Sequence, residues 1–398
     1  MKTHKILFVD DDELILKGLS RVIDEYSAFW DTEYAKSGKQ AIAMLQNSQF
    51  DAVITDMLMP VMDGLALLET VAETHPGVLR FVLSGNTNDI QAVKSASLVH
   101  QMFPKPSEME FIFRIVEQAC RLRDSLSDPK LVKVITSIKS LPSPPELYYQ
   151  LVEELLTEEP NLRKVGEIVA KDTAMTAKML QLVNSAFFGL ADEINNPQRA
   201  VTLLGINTTK ALLLSAHVFS EYGKKKSIPQ TIKNLWNHSM MVSNIARKIA
   251  LDFGLSVEEQ ENAQVAGILH DIGKLLQIKL PEFSKVLRFY SARLPLKIEY
   301  EYLSTSHAEM GAYLLGIWGI PDAIVEAVMY HHIPSKQLNT TKNALTAVHI
   351  ANGLLNMHYF KELDKPEEHL DLLYLEQVIE LTQLDEWIQY ICEIIDKG

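Results

Sequence analysis

Four aspartates carry the first chemical signal in this 398-residue chain. Asp10, Asp11 and Asp12 follow the apolar run Ile6 to Val9, and Asp56 follows Ala52 to Thr55 in the segment DAVITDMLMPVMDG. If both runs are strands of one parallel sheet, their carboxyl ends share an edge and the carboxylates converge there. Carboxylates held that close repel unless a hard cation lies among them. An all-oxygen ligand set suits Mg²⁺, which keeps several waters and also takes a phosphate oxygen. Ser84 closes the next strand-like run and Lys105 follows the last one, so a hydroxyl donor and a fixed positive charge reach the same edge. Together these groups could neutralise a phosphoryl group in transfer. Aspartates at strand ends also cap the helices that follow, and Asp12 suits that role equally well.

A second constellation is built from histidines. In VAGILHDIGKLL, the spacing of Val265, Ile268, Leu269, Ile272 and Leu275 predicts a buried helix face with His270 and Asp271 in its middle. A buried charged pair is costly unless its members bond to each other or to a metal. His238 falls in an earlier helical stretch, NHSMMVSNIARKIA, and His307, His331 and His332 fall in two later ones. Neutral imidazoles with a carboxylate suit Zn²⁺, Mn²⁺ or Fe²⁺, and such a centre can make a metal hydroxide that attacks a phosphate ester. Two readings stay open: a metal-dependent phosphohydrolase, or a hydrogen-bonded core pair that packs helices without metal. His307 and His332 equally suit solvated helix positions, and His4, His75, His100, His217 and His358 fit no pattern.

Two kinds of element must position these groups. From Lys5 to about Leu126, apolar runs alternate with helical patterns. Ile6 to Val9, Ala52 to Thr55 and Leu79 to Ser84 read as buried parallel strands, and Ile15, Leu19, Val22 and Ile23, Leu65 to Leu68 and Ile90 to Val93 fall in helices. Ser107 with Glu110 forms a capping box before a closing helix over Phe111 to Arg121. This grammar predicts a doubly wound α/β domain over 1–126. A helical stretch over Leu131 to Ile138 then meets Pro142, Pro144 and Pro145, so 127–145 reads as a linker. Beyond it, series such as Leu147, Leu151 and Leu155 predict an all-helical region.

Composition narrows the function classes. The chain has 47% hydrophobic and 22% charged residues, which suits packed globular domains. Two cysteines, Cys120 and Cys392, cannot staple a secreted fold, and no export signal is visible, so a cytoplasmic location is expected. No run approaches the roughly 18 apolar residues of a membrane span. With 38 basic and 51 acidic residues, the net charge of −13 disfavours direct DNA binding and anionic membranes.

The first region resembles the receiver domain of two-component response regulators over about residues 4 to 124. The resemblance rests on Asp10 and Asp11 after the first strand, Asp56 with Met59-Pro60, Ser84, and Lys105-Pro106, all in order. It implies a flavodoxin-like fold and Asp56 as the phosphorylated residue of a phosphorelay. It also implies Mg²⁺ held by Asp10, Asp11, Asp56 and the Leu58 carbonyl, with Asp10 acting mostly through water. Ser84 and Lys105 would contact the phosphoryl group, with the Lys105-Pro106 bond cis. Implied partners are a sensor histidine kinase and a second copy of the chain, paired through the face around Ile90 to Arg121. One position departs from the pattern: Met102 stands where the family usually has a Tyr or Phe switch, and Phe103 beside it belongs to the opposite strand face.

The second region resembles the HD superfamily, and more closely its HD-related output domain, HDOD, over about 130 to 356. The motifs are LPSPPELYYQL, the segment ending in Asn184 to Gly189, Leu204-Gly205, LHDIGK, HAEMGAYLLGIWGIP and His331-His332. This places the output domain at 146–356 and leaves 357–398 as a helical extension. In NSAFFG, Phe187 and Phe188 suit a core pair better than a ligand platform. Two departures argue against catalysis. AVHIANGLL offers Asn352 where the HD pattern closes on a metal-binding aspartate, with His349 one turn earlier as a substitute. After His332 the chain runs IPSKQ, without a Gly-Tyr-Pro loop. The expectation is therefore a response regulator that signals through a non-catalytic HDOD domain to an unidentified downstream protein. The competing expectation is an HD-type cyclic di-GMP phosphodiesterase with a transition metal at His238, His270, Asp271, His307, His331 and His332.

Overall fold

The structure is a computed structural model that describes residues 3–23, 28–84, 99–105, 109–125, 161–170, 194, 196–212, 229–278, 280, 295–318, 320–337 and 340–397. The chain divides into two compact units. One is Met1–Ser143 with Lys297–Thr305 and Tyr313–Ile320; the other is Pro144–Leu296, Ser306–Ala312 and Pro321–Gly398.

The first unit contains a five-stranded parallel sheet: β1 (His4–Val9), β2 (Trp30–Ala35), β3 (Ala52–Asp56), β4 (Leu79–Ser84) and β5 (Gln101–Pro104). Its order is β2-β1-β3-β4-β5, a flavodoxin-like winding. Register pairs Val9 with Thr55, Asp56 with Leu83 and Ser84 with Pro104, so the strand ends form one edge. The central strands are apolar because both faces are covered: Ile6 to Val9 and Ala52 to Ile54 are all buried. β2 carries no apolar run. It is an edge strand in which only Trp30 and Ala35 are buried. Phe8 binds it to the sheet through Trp30 and Tyr34, with ring centroids 6.2 and 5.9 Å away.

Helices α1 (Glu13–Ile23), α2 (Gly38–Asn47), α3 (Gly64–Thr74) and α4 (Met109–Ser125) accompany this sheet. Ser37 caps α2 by accepting from Gln40 N–H, and Asp63 caps α3 by accepting from Ala66 N–H. The expected capping box at Ser107, the helix over Ile90 to Val93, the Pro106 peptide, the proline-rich linker and NSAFFG all lie outside the described residues.

The described elements of the second half are helical, with two short 3₁₀ turns, Pro334–Lys336 and Pro366–Glu368. They are α5 (Leu162–Ala170), α6 (Pro197–Leu204), α7 (Pro229–Asp252), α8 (Val257–Leu269), α9 (Ile272–Ile278), α10 (Leu296–Leu303), α11 (His307–Ile317), α12 (Asp322–Tyr330), α13 (Ala344–Phe360), α14 (Leu372–Leu375) and α15 (Gln383–Lys397). Helices α7, α8, α12 and α13 pack on one another. From Ala344 to Leu355 every residue of α13 is buried, as expected of a helix that is apolar on all sides. Ser256 caps α8 above Glu258 and Glu259, where the helix dipole favours acids. On α15, Trp387 packs edge-on to Phe253 at 5.6 Å and donates its indole N–H to Asp252 at 3.0 Å.

Candidate functional site

At the carboxyl edge of the sheet, one ammonium joins two strand-end carboxylates. Lys105, directly after β5, places Nζ 2.5 Å from Asp56 Oδ1 and 3.0 Å from Asp10 Oδ2. Asp10 is buried and Asp56 half-buried. Each carboxylate is also aimed by a backbone N–H: Asp12 N–H donates to Asp10 Oδ1 at 2.9 Å and Leu58 N–H to Asp56 Oδ2 at 2.8 Å. Burial opposes the charge on Lys105. The hydrogen bonds and charges of Asp56 and Asp10 outweigh that penalty, so its pKa rises above the ordinary lysine value.

Asp11 lies exposed one residue beyond Asp10, and Leu58 is exposed. Ser84 ends β4 beside Pro104 of β5, at the same edge. Asp12 does serve the turn into α1: its Oδ1 accepts Leu14 N–H at 2.8 Å. Phe103 is fully buried, stacked on Phe81 at 5.7 Å and edge-on to Phe111 at 6.1 Å, so it is a core residue of this sheet. The donor chemistry fits a hard cation, because the Asp10 and Asp56 oxygens converge on one positive centre and Asp11 is exposed at the same strand end.

Gly64, inside the MDG segment, is a site residue that the sequence reading missed. A Cβ there would stand 2.2 Å from the Asp56 carbonyl oxygen, and Gly64 N–H donates to the Met57 carbonyl at 2.9 Å. Only glycine lets α3 start this close to the strand that carries Asp56. The Asp-Gly pair was its signal in the sequence.

The six predicted residues of the second constellation converge. His238, His270 and Asp271 offer ligand atoms within 4.8 Å of one another, as do His307, His331 and His332. Asp271 Oδ1 lies 3.1 Å from His307 Nε2, not aligned as a hydrogen bond, and His332 Nε2 lies 3.1 Å from the same His307 nitrogen. The predicted continuous helix is corrected: α8 ends at Leu269, and His270 and Asp271 occupy the break before α9. A Cβ on Gly273 would stand 1.9 Å from the His307 carbonyl oxygen, so α9 meets the start of α11 at backbone distance. His307 is buried rather than solvated, and His332 is half-buried.

Proton positions follow from the backbone. His270 Nδ1 donates to the Gly267 carbonyl at 2.9 Å and His331 Nδ1 to the Val328 carbonyl at 2.7 Å. Each ring therefore turns a lone-pair Nε2 inward, and both nitrogens are buried without a hydrogen-bond partner. Burial pushes the His238 pKa down to about 3 and lowers those of His270, His331 and His332, so the rings are neutral. For Asp271, burial favours the acid, yet its pKa is held well below the usual range, with the Lys274 ammonium the leading opposing cause. Lys274, which the sequence reading passed over, places Nζ 2.7 Å from Asp271 Oδ2.

His349 does not substitute as a ligand. Its Nδ1–H donates to the His331 carbonyl at 2.7 Å and its Nε2 accepts Asp371 N–H at 2.9 Å, which uses both nitrogens. Asn352 Oδ1 instead accepts from the His238 Nε2–H at 3.0 Å and from the Asn356 side-chain N–H at 3.1 Å. Among the described residues, the two ligand groups hold a single carboxylate, and Lys274 already neutralises it. The imidazoles fit a transition metal, since three neutral rings suffice to hold a divalent ion, while the one carboxylate is already paired with Lys274.

Comparison with known proteins agrees with both halves of this geometry. Residues 6–117 match the response regulator receiver domain model and residues 141–334 the HDOD domain model. A crystal structure of an HDOD domain protein with unknown function from Geobacter sulfurreducens shares the fold. It is 22% identical with a TM-score of 0.54, and the match covers 69% of this chain and 96% of that one. An uncharacterized protein of Treponema pallidum (strain Nichols) is 22% identical over 268 residues, 63% of this chain and 51% of its own. The uncharacterized transcriptional regulatory protein YesN of Bacillus subtilis (strain 168) is 30% identical over 129 residues, 30% of this chain and 33% of its own. The chain thus spans about half of the first relative and a third of the second. Among the described residues, no helix is long and apolar enough to cross a membrane.

Proposed function

Because the chain joins a response regulator receiver domain to an HDOD domain, a pairing that fits a response regulator, we propose that Asp56 takes a phosphoryl group from a sensor histidine kinase. The HDOD domain then passes that state to a downstream protein by binding, without catalysis. The observation that carries the reading is the Lys105 ammonium bridging Asp56 and Asp10. In the transfer, an Asp56 oxygen forms a bond to phosphorus as the phosphorus–nitrogen bond of a phosphohistidine breaks, and the freed imidazole keeps the electron pair and takes a proton. Lys105 neutralises charge at the acceptor before the phosphoryl group arrives, and Leu58 N–H holds the carboxylate oxygen in place. Mg²⁺, held by Asp10, Asp11, Asp56 and the Leu58 carbonyl, would supply further charge neutralisation at the phosphoryl oxygens. Ser84 belongs at the same edge as a phosphoryl contact.

The non-catalytic output reading is supported by the Lys274–Asp271 pair and by Asn352 occupying His238. We place the receiver at 1–126, the linker at 127–145, the output domain at 146–356 and a helical extension at 357–398. A cytoplasmic location, pairing with a second copy and no direct DNA binding belong to the same proposal; the net charge of −13 supports the last. The test is intact-mass measurement after incubation with acetyl phosphate and Mg²⁺. Wild type gains the mass of one phosphoryl group and Asp56→Asn gains none; no gain in wild type refutes the reading.

One observation favours a second reading, a metal-dependent phosphohydrolase acting on a cyclic dinucleotide: the unpartnered, buried Nε2 atoms of His270 and His331. Stoichiometric Zn, Mn or Fe in the purified protein together with cyclic di-GMP turnover, both lost in His270→Ala, would establish it over the binding reading.

A further inference from the structure

Apart from both clusters, one histidine is buried with a carboxylate on each ring nitrogen. His4 begins β1, with Nδ1 3.0 Å from Glu117 Oε2 and Nε2 3.2 Å from Asp124 Oδ2, both carboxylates on α4. A carboxylate ion only accepts, so two such bonds at once require a ring that carries both protons. Glu117 Oε2 also accepts the Trp30 indole N–H of β2 at 3.1 Å. Further out, Arg123 pairs with Asp124 at 3.0 Å and with the Asp51 carboxylate, and donates to the Asp51 carbonyl at 2.9 Å. Asp51, which leads into β3, is held by Lys5 N–H at 2.7 Å, while the Lys5 ammonium turns to Glu33 at 2.6 Å. The nearby Cys120 thiol is kept uncharged by burial. Strands β1 and β2 and the residue that leads into β3 thus grip the C-terminal half of α4, the last described helix of the receiver, through one ionic group centred on His4.

We propose that His4 is a proton-operated clamp: doubly protonated, its ring bridges Glu117 and Asp124 and holds the C-terminal half of α4 against β1. When one ring proton leaves to solvent, a lone pair replaces one N–H and faces a carboxylate lone pair, so that bond becomes repulsive. The Glu117 hydrogen bond raises the ring's basicity more than burial lowers it, and the Glu117 and Asp124 charges and the Asp124 bond add to the rise. The folded pKa therefore lies above 6.5. The clamp's contribution is complete below pH 6.5 and is lost as pH rises through the folded value.

The test is hydrogen exchange by mass spectrometry on the full-length protein, reading peptides from the C-terminal half of α4 at pH 6.0 and 8.5 and correcting for intrinsic exchange. In wild type, corrected protection should fall about tenfold at the higher pH, the loss of one charge-assisted hydrogen bond. In His4→Gln it should be low at both values with no step. Glu117→Gln keeps the side chain's size and removes a charge, so the step should persist with its midpoint at lower pH. Protection in wild type that does not change with pH, a step retained in His4→Gln, or an unmoved midpoint in Glu117→Gln would each overturn the proposal.

Discussion

Two glycine-to-alanine substitutions in the receiver should move its stability in opposite directions. Gly18 sits within α1, and a Cβ added there meets nothing within 4 Å. Alanine then gains only helix propensity and loses only unfolded-state freedom, so Gly18→Ala should stabilise the domain by about 0.5–1 kcal/mol. At Gly64 the same methyl group would stand 2.2 Å from the Asp56 carbonyl oxygen and 3.1 Å from the Asp56 carbonyl carbon and from Met57 Cα. These are backbone atoms of a strand end and cannot swing aside as a side chain would. Overpacking costs about 1–3 kcal/mol, and displacing α3 also lengthens the Gly64 N–H to Met57 carbonyl bond, worth about 1 kcal/mol. Gly64→Ala should therefore lose roughly 2–4 kcal/mol. Because the clash falls on Asp56 itself, acetyl phosphate labelling should slow as well. Urea unfolding read by hydrogen exchange of β3 peptides isolates the receiver from the rest of the chain. A Gly64→Ala protein at least as stable as wild type, or a Gly18→Ala protein less stable, would refute the packing argument.

Removing the ammonium in Lys105→Ala leaves Asp10 and Asp56 facing each other uncompensated, and the labelling rate at Asp56 should fall roughly a hundredfold, measured by intact mass over time. Asn352→Asp places an anionic oxygen against His238 and should tighten zinc binding about tenfold or more in a competition titration with a chelator; an unchanged affinity would show that Asn352 does not set the metal affinity of the cluster. Acid should weaken the receiver through His100, whose Nδ1 accepts Arg80 N–H at 2.9 Å and whose pKa burial, with the Arg80 charge, holds well below 6.5. Unfolding lets that ring take a proton, so stability present above pH 6.5 declines as pH falls below it, and His100→Asn should flatten the slope of urea midpoint against pH in that window.

The receiver's site was legible because its geometry follows from strand ends. Ile6 to Val9, Ala52 to Thr55 and Leu79 to Ser84 announce themselves as continuous apolar runs, and a residue's place after such a run fixes which sheet edge it reaches. That is why Asp10, Asp56 and Lys105 met as expected. β2 was silent because an edge strand need not be apolar, and WDTEYA buries only its ends. Gly64 was present in the motif, but its reason, the Asp56 carbonyl, lies across a loop.

In the histidine cluster the residue types were visible and the partners were not. Helical periodicity through LHDIGK carried on over His270 and Asp271, yet the helix ends at Leu269 and a second begins at Ile272, where Gly273 meets the backbone of His307. The Lys274–Asp271 pair, three residues apart, was open to reading from spacing, but sequence order alone could not show that His349 spends both nitrogens on backbone groups or that Asn352 accepts the His238 N–H. By itself, then, the sequence determined which elements form and which ends carry ionisable groups, since periodicity and burial are local. Only the tertiary structure decided which donor meets which acceptor, because in a buried site the charge and tautomer of each ring are set by neighbours that lie far apart in the chain.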